Sequence, residues 1–244
     1  MSGYAPLSGA WLILPTYNEA ENVEPLVRAA LPQLESAGLP HTILIVDDSS
    51  PDGTGRIADR LAAEIPQVRV LHRDRKQGLG RAYLAGFEVA LEGGADLMLE
   101  MDSDFSHDPA DLPRLIAAAE AADLVLGSRY VPGGGVTNWG IVRRALSRGG
   151  SAYARILLGI PVRDLTGGFK CFNRRVLEAI ALDAVHADGY GFQIELTYRA
   201  VQAGFTVTEV PILFRERRVG QSKMTARIAV EAVWKVPALR LRSR

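Results

Sequence analysis

The chain has 244 residues, of which 48% are hydrophobic and 23% charged, and its single cysteine is Cys171. This length is enough for one large α/β domain or two small ones, and a lone cysteine excludes an intrachain disulfide and a cysteine-rich zinc site. Lys plus Arg and Asp plus Glu both number 28, so net charge does not point to a nucleic-acid partner, and we expect none. No stretch approaches the roughly 20 apolar residues of a membrane span, and the first apolar run is too short for a signal peptide. We therefore expect a cytoplasmic chain that does not cross a bilayer.

The first half of the chain alternates short apolar runs with segments of helical periodicity. The predicted strands cover residues 10–15, 41–48, 68–72, 96–101 and 123–128. The predicted helices cover residues 19–38, 53–64 and 79–94, with another beginning after Asp108 and Pro109. Apolar strands that alternate with helices predict an α/β fold with a buried, mostly parallel sheet and helices on both faces.

The second half is less regular. A glycine-rich loop (130–140) precedes a basic helix (141–159), and a further helix and strand are predicted around 192–204 and 206–214. We predict one domain over residues 1–218, followed by a basic amphipathic tail over residues 219–244. In the tail, apolar side chains alternate with cations such as Arg227 and Lys235, which fits either an interfacial segment on anionic lipid or a helix packed on the domain.

Polar clusters follow four successive predicted strands. Tyr17 and Glu19 follow the first, "DDSSPDGT" (47–54) the second, "DRKQGLGRA" (74–82) the third, and "DSD" (102–104) the fourth. In parallel sheets, ligands bind beyond the carboxyl ends of the strands. We therefore expect these four clusters to meet at one edge of the sheet and form the functional site.

The acidic stretch "LEMDSDFSHDP" holds the strongest candidates for metal binding. Asp102 and Asp104 can supply hard oxygen ligands to Mg²⁺ or Mn²⁺, although two acids at this spacing are also common without a metal. Asp108 is interpreted as the cap of the helix that begins at Pro109. Glu100 lies further back along the strand and receives no role.

Other motifs are ambiguous when taken alone. Asp47 and Asp48 suit either a turn or hydrogen bonds to a nucleobase or ribose. The "GLGRA" segment follows the third strand rather than the first, so it argues poorly for an NAD-dependent enzyme. Arginines of the basic helix suit either phosphate recognition or a solvated helix face. No histidine spacing typical of metal ligands and no Ser/His/Asp or Cys/His arrangement can be read from the sequence.

Seven motifs in this order carry a more specific resemblance: "LPTYNEAENV", "IVDDSSPDGT", "GLGRAYLAGF", "MDSDFSHDP", "GSRYVPGGGVTNW", "DLTGGFKCF" and "GQSKM". Together they resemble the family 2 glycosyltransferases of GT-A fold, and more closely the polyprenol-phosphate (dolichol-phosphate) mannose synthases. The resemblance runs from about Trp11 to Met224. It implies inverting transfer of mannose from GDP-mannose to a polyprenyl monophosphate with Mg²⁺ or Mn²⁺ as cofactor.

The resemblance also implies roles for individual residues. The nucleotide pocket would be lined by Pro15, Tyr17, Glu19, Val46 and Asp48. Diphosphate and metal would be held by Asp102, Ser103 and Asp104, with Asp102 and Asp104 as the metal ligands. Arg129 would lie near the transferred phosphate, Arg143 and Ser147 would bind the acceptor phosphate, and Arg217 and Lys223 would be donor-side cations. Ser106 departs from the family pattern, since close relatives often carry a Gln there that assists the metal.

Two other functions are kept as alternatives. The first is a polyprenyl-phosphate glucosyltransferase that uses UDP-glucose, although "GGGVTNW" and "GQSKM" favour mannose. The second is a catalytically silent subunit that binds nucleotide sugar, which the intact Asp102 and Asp104 disfavour. Without a membrane span, the expected location is the cytoplasmic face of a membrane, through peripheral contact or a separate anchor protein.

Overall fold

The structure is a computed structural model and describes residues 9–185, 190–216, 236–237 and 239–240. Arg217, Lys223 and most of the predicted tail lie outside the described residues. Within the described part, no helix is long and apolar enough to cross a bilayer.

The chain forms nine strands and seven α-helices in the part that the structure describes. The strands are β1 (Ala10–Thr16), β2 (His41–Asp47), β3 (Val68–His72), β4 (Leu97–Glu100), β5 (Leu124–Ser128), β6 (Gly135–Val136), β7 (Lys170–Asn173), β8 (Val207–Pro211) and β9 (Leu213–Phe214). The helices are α1 (Val23–Ser36), α2 (Thr54–Glu64), α3 (Leu79–Glu92), α4 (Leu112–Ala118), α5 (Ile141–Leu158), α6 (Arg174–Ala179) and α7 (Tyr190–Gln202). Short 3₁₀ turns cover Pro109–Asp111 and Leu182–Ala184.

Seven strands form one sheet in the order β3-β2-β1-β4-β7-β5-β8. All neighbouring pairs are parallel except those of β7, which lies antiparallel between β4 and β5. The prediction of a mostly parallel sheet is therefore confirmed. The carboxyl ends of β1, β2, β3 and β4 meet at one edge, as the pattern of polar clusters predicted.

The sheet is buried on both faces, and β1 shows why its sequence is apolar throughout. Trp11 and Ile13 point into the cluster shared with α3, α5 and α7, whereas Leu12 and Leu14 point into the cluster shared with α1, α2 and α4. Helix α3 packs so closely on the sheet that a Cβ at Gly86 would lie 2.6 Å from Cγ2 of Ile13. Alternate side chains of one strand thus contribute to two separate cores.

Two details of the second half differ from the sequence prediction. The segment 164–180 contains β7, which no local pattern had indicated. The predicted strand 206–214 is two strands: β8 extends the main sheet, whereas β9 pairs with β6 in a separate two-stranded sheet. Between β8 and β9, the buried side chain of Ile212 points into the core cluster shared with α1, α2 and α4. The hydrogen-bond ladder of the main sheet therefore ends before β9.

Four residues of the predicted tail are described. Val236 is buried in the same core cluster as Leu158, Leu239 packs against that cluster, and the Arg240 guanidinium donates to the carbonyl of Leu157 at the end of α5. At these positions the tail is packed on the domain. The rest of residues 219–244 lies outside the described part, so an interfacial role for the tail stays a prediction.

Candidate active site

The two candidate metal ligands lie at the carboxyl edge of the sheet, directly after β4. The Tyr83 hydroxyl, from α3, donates to Oδ1 of Asp102 over 3.2 Å. Burial, and then the nearby Asp102 carboxylate, raise the pKa of Tyr83 well above its ordinary value, so this phenol remains a donor. Asp104 is 5% exposed and its Oδ1 accepts the backbone N–H of Ser106 over 3.0 Å. Both carboxylates are therefore positioned by hydrogen bonds before any ligand arrives.

The neighbouring loop residue connects this segment to the first strand. Ser103 Oγ donates to the carbonyl of Pro15 over 2.9 Å, which fixes the loop after β4 against the end of β1. Asp108 lies further on and accepts the N–H of Ala110 at 3.0 Å, so its predicted capping role is confirmed.

The donor set fits a divalent cation that shares its ligands with a substrate. Among the described residues no group of three or more His, Cys, Asp or Glu side chains could hold a metal ion. A pair of carboxylates such as Asp102 and Asp104 is a donor set that Mg²⁺ uses, since the ion takes its other oxygens from water and phosphate.

Space for a ligand beside Asp102 is kept by a glycine. A Cβ at Gly168 would lie 3.7 Å from both carboxylate oxygens of Asp102 and 3.5 Å from Nε2 of Gln193. Gln193 projects from α7 and is 3% exposed, and its carboxamide lies close enough to the Glu100 carboxylate to oppose the rise that burial causes in the pKa of Glu100. The carboxamide thus lies beside Asp102, a predicted metal ligand, and no local pattern in the sequence marks it.

A buried pair of opposite charges lies behind this position. Glu100 of β4 is directly opposite Lys170 of the antiparallel strand β7, and both are fully buried. Burial raises the pKa of Glu100 to about 7 against the opposing effect of Lys170, and lowers the pKa of Lys170 to about 8 against that of Glu100. The Lys170 ammonium also donates to the carbonyl of Gln193 over 2.7 Å and to Oγ1 of Thr197 over 3.0 Å. Lys170 therefore anchors α7, and with it Gln193, to the strand that leads to Asp102.

The predicted nucleotide-side residues cluster at the ends of β1 and β2. The Lys76 ammonium lies 4.0 Å from the centroid of the Tyr17 ring. The Arg73 guanidinium forms an ion pair with Oδ1 of Asp48 over 2.6 Å. Burial raises the pKa of Asp48, with Arg73 opposing the shift. The backbone N–H of Glu19 donates to Oγ1 of Thr54 over 2.9 Å, which joins the two loops. The structure thus brings Tyr17, Glu19 and Asp48 to one place.

Val46 and Asp47, at the end of β2, are held by contacts within the protein. Val46 is fully buried in the core cluster that also contains Trp11 and Ile13. Its Cγ2 would lie 3.3 Å from a Cβ added to Gly86. The Val46 side chain therefore does not face a nucleotide, and a contact through its backbone stays a prediction. Asp47 accepts from Oγ1 of Thr16 and from both the N–H and the Oγ of Ser50, so it is the turn residue of the pair Asp47 and Asp48.

The predicted acceptor-side residues meet where the glycine-rich loop joins α5. Ser147 accepts the Tyr130 hydroxyl over 2.6 Å. The Arg143 guanidinium lies 4.2 Å from the centroid of the Trp139 ring and 3.2 Å from a carboxylate oxygen of Glu216. Arg143 is partly exposed and held only at the surface, which leaves it able to reorient toward an incoming anion.

Arg129 is held much more firmly. It is 5% exposed, and its Nε and one terminal nitrogen each donate to Asp164 over 2.7 Å, while the same terminal nitrogen also reaches Oγ1 of Thr166. The predicted proximity of Arg129 to the transferred phosphate stays a prediction. Any phosphate that bound this guanidinium would share it with Asp164.

His107 is buried close to Asp104, one of the two predicted metal ligands. His107 is 2% exposed and lies between the rings of Phe169 and Phe214, at centroid distances of 5.1 and 5.2 Å. Burial lowers the pKa of His107 to about 4, although Asp104 opposes the shift. The imidazole is therefore neutral at physiological pH and contributes no cation to the site.

Comparison with solved structures defines the class of fold. The chain superposes on glucosyl-3-phosphoglycerate synthase from Mycobacterium tuberculosis, solved in complex with Mn²⁺, uridine-diphosphate and phosphoglyceric acid, with a TM-score of 0.73 at 20% identity, covering 96% of this chain and 78% of that one. The same synthase in complex with Mg²⁺ and uridine-diphosphate gives a TM-score of 0.71 at 19% identity, covering 96% and 79%. The fold is that of the GT-A glycosyltransferases.

Sequence comparison identifies the family. The model of "Glycosyl transferase family 2" matches residues 11–181, so the chain belongs to glycosyl transferase family 2. An undecaprenyl-phosphate mannosyltransferase of Micrococcus luteus is 51% identical over 221 residues, covering 91% of this chain and 89% of that protein. A polyprenol monophosphomannose synthase of Mycolicibacterium smegmatis is 49% identical over 244 residues, covering 98% and 89%.

Proposed function

We propose that the chain transfers mannose from GDP-mannose to a polyprenyl monophosphate and releases GDP. The observation that carries this proposal is the preorganised pair Asp102 and Asp104, which lies at the carboxyl edge of a GT-A sheet in a chain about half identical to two polyprenol-phosphate mannosyltransferases. Those relatives are named for mannose and a polyprenyl phosphate, which favours this donor sugar and acceptor over glucose.

The donor binds across the ends of β1, β2 and β4. Tyr17, Glu19 and Asp48 lie together and are proposed to contact the guanosine, and the carbonyl of Pro15 is already engaged by Ser103. The Arg73 guanidinium opposes the rise in the pKa of Asp48 and so helps to keep this carboxylate a hydrogen-bond acceptor. Arg217 and Lys223 are proposed to add positive charge on the donor side.

Asp102 and Asp104 would hold Mg²⁺ or Mn²⁺ against the donor diphosphate. When bound, this ion neutralises negative charge on the diphosphate leaving group, the role of a Lewis acid and a template. Tyr83 and the Ser106 backbone already hold the two carboxylates by hydrogen bonds. Gly168 leaves the adjoining space open.

The acceptor phosphate is bound by Arg143 and Ser147 at the start of α5, with Arg129 supplying positive potential behind them. A phosphate monoester has its second pKa near 6, so the acceptor is already an anionic nucleophile at neutral pH and needs no general base. His107, whose pKa burial lowers to about 4, would be a poor proton acceptor. Arginines that align the acceptor also offset repulsion between two anionic substrates, and in-line attack inverts the anomeric carbon.

The acceptor is a membrane lipid, so the enzyme works in contact with the cytoplasmic face of a membrane, either peripherally or through a separate anchor protein. The described residues hold no helix that could span the bilayer. The uncharged length of a polyprenyl chain would stay in the lipid while its phosphate reaches the site.

The test is a transfer assay with purified protein, a short polyprenyl phosphate, and either GDP-mannose or UDP-glucose, each with Mg²⁺ or Mn²⁺. We expect a mannosylated lipid with GDP-mannose, and no product when the metal is chelated. Product from UDP-glucose alone would show that the sugar assignment is wrong. Donor binding without turnover in every condition would show instead a nucleotide-sugar-binding subunit.

A further inference from the structure

Tyr130 has no role in the proposed function, yet its side chain contacts two of the three residues proposed to act on the acceptor phosphate. Its hydroxyl donates to Oγ of Ser147 over 2.6 Å. The guanidinium carbon of Arg129 lies 5.1 Å from the centroid of the Tyr130 ring, and that of Arg148 lies 5.8 Å from it. Tyr130 therefore joins the segment that follows β5 to the first half of α5.

The backbone at Tyr130 is firmly held. Its N–H donates over 3.3 Å to Oγ of Ser128, a fully buried residue that ends β5. The residue between them, Arg129, is fixed by its buried ion pair with Asp164. The phenol is thus presented from a fixed point at the edge of the main sheet.

The first half of α5 depends on contacts of this kind, because no side chain of residues 141–150 is buried. All of α5 is described, and its buried residues lie in the second half: Ser151, Ala154 and Leu158. Each of the two proposed phosphate ligands on α5 is instead held by an aromatic side chain. The Arg143 guanidinium lies against the Trp139 ring, and Ser147 accepts the Tyr130 hydroxyl.

The direction of the bond decides what Ser147 can offer a phosphate. A serine hydroxyl has one proton and two lone pairs, so it can accept one hydrogen bond while it donates another. Because Tyr130 donates to Ser147, the serine keeps its own proton for a second partner. A phosphate monoester, with its second pKa near 6, presents mostly acceptor oxygens at neutral pH and therefore needs donors. A hydroxyl that accepts one bond also donates a stronger one.

We propose that Tyr130 is a positioning residue for the acceptor phosphate. Its hydroxyl orients Ser147 as a hydrogen-bond donor and holds the first half of α5 at the edge of the sheet. Arg143 and Ser147 are four residues apart on one face of the helix, so this contact lets them meet the phosphate together. The inference rests on the proposed function, since it takes Ser147 as a ligand of the acceptor.

The experiment measures binding of a short, water-soluble polyprenyl phosphate by calorimetry, and transfer from GDP-mannose by steady-state kinetics. Tyr130→Phe removes only the hydroxyl. We expect its dissociation constant and its KM for the acceptor to rise about three- to tenfold, the usual effect of one lost hydrogen bond. Its KM for GDP-mannose should stay that of the parent. Tyr153→Phe removes a hydroxyl from another tyrosine, on α5 itself, and should change none of these values.

A double-mutant cycle shows whether Tyr130 acts through Ser147. Ser147→Ala should weaken acceptor binding, and adding Tyr130→Phe to it should weaken binding no further. The inference is overturned if the two substitutions weaken binding independently, since Tyr130 would then act without Ser147. It is also overturned if either single variant binds the acceptor as the parent does. A purely structural role predicts that result for Tyr130→Phe, with a lower free energy of unfolding as its only effect.

Binding and transfer separate this inference from the proposed function. If the parent binds the acceptor through Tyr130 and Ser147 but forms no lipid-linked sugar, the proposed function is wrong and the positioning role stands. If the parent transfers mannose and Tyr130→Phe has the same KM for the acceptor, the positioning role is wrong and the proposed function stands. A parent that does not bind a polyprenyl phosphate overturns both.

Discussion

Arg129 and Asp164 form a buried, bidentate ion pair in which two guanidinium nitrogens each donate to a different carboxylate oxygen over 2.7 Å. The side chains are 3% and 0% exposed. Asp164 also accepts the backbone N–H of Arg129 over 2.9 Å, and its own N–H donates to Glu209 on β8. The pair therefore fastens the end of β5 to the segment that leads into β7.

Loss of one member of this pair should be far more damaging than loss of both. Asp164→Ala leaves a buried guanidinium without its carboxylate, so we expect the free energy of unfolding to fall by about 3–5 kcal/mol. The double variant Arg129→Met, Asp164→Leu removes both charges and should recover most of that loss. Urea unfolding of the three proteins measures this. A loss below about 1 kcal/mol in the single variant would contradict the structural role.

The same double variant tests the role that family resemblance gives Arg129. If it folds like the parent but transfers no sugar, the guanidinium acts on substrate as well as on Asp164. If it retains transfer, Arg129 is a structural residue, and the acceptor phosphate depends on Arg143 and Ser147.

The metal-ligand pair can be tested with an acidic residue of the same segment as control. Asp104→Asn keeps the shape and the bond from the Ser106 N–H but removes the charge, so we expect turnover to fall by a factor on the order of a hundred or more, with little change in stability. Asp108→Asn replaces one good helix cap with another and should retain transfer. Mn²⁺ titration should likewise show weaker binding only in Asp104→Asn. Equal activity of both variants would exclude Asp104 as a ligand.

Much of the fold follows from local sequence patterns, and β7 shows where they end. The strands β1 to β5 are apolar runs bounded by turns and helices, so their periodicity predicts them. Strand β7 has four residues and begins with the buried cation Lys170, so nothing in its own sequence marks a central strand. Its place is set by antiparallel pairing with β4 and β5, which are distant in the chain.

The candidate site was likewise predictable only where its residues follow predicted strands. Asp102, Asp104, Tyr17 and Asp48 follow strand ends, so the topology of a parallel sheet brings them together. Gln193 lies in the middle of a helical segment and reaches the site only because Lys170 anchors α7 to β7. The family resemblance implies that Val46 lines the pocket; the alternation of side chains along β2 turns its side chain into the core, so only its backbone is left for that role.

The space beside Asp102 gives a prediction with a neighbouring control. Gly168→Ala adds a methyl group 3.7 Å from the Asp102 carboxylate, at ordinary contact distance, so the free protein should keep its stability. We expect the methyl group to crowd the bound metal and diphosphate and to lower kcat/KM for the donor by about tenfold to a hundredfold. In Gly167→Ala the added group lies 3.4 Å from the carbonyl of Gly127 and 3.6 Å from Asp164, away from Asp102. Steady-state kinetics should therefore separate the two variants, and equal effects would show that the space is not used.

Glu100 and Lys170 predict a pH dependence of stability. Burial raises the pKa of Glu100 from 4.5 to about 7, so between these values the folded protein binds more protons than the unfolded chain. By linkage, its contribution to the free energy of unfolding then falls as pH rises from about 4.5 to about 7. Glu100→Gln removes this decline.

Glu100→Gln also changes the pH dependence of stability through Lys170, and this second change lowers the difference between parent and variant further as pH rises. The Glu100 carboxylate supports the charge of Lys170, whose pKa burial has already lowered to about 8. Without it, we expect the pKa of Lys170 to fall further, so the folded variant loses a proton that its unfolded chain keeps and gains stability as pH rises. Parent stability minus variant stability should therefore decrease by a few kcal/mol between pH 4.5 and 7, measured by urea unfolding in chelator. A difference that stays constant or grows over that range would show that Glu100 is already ionised at low pH.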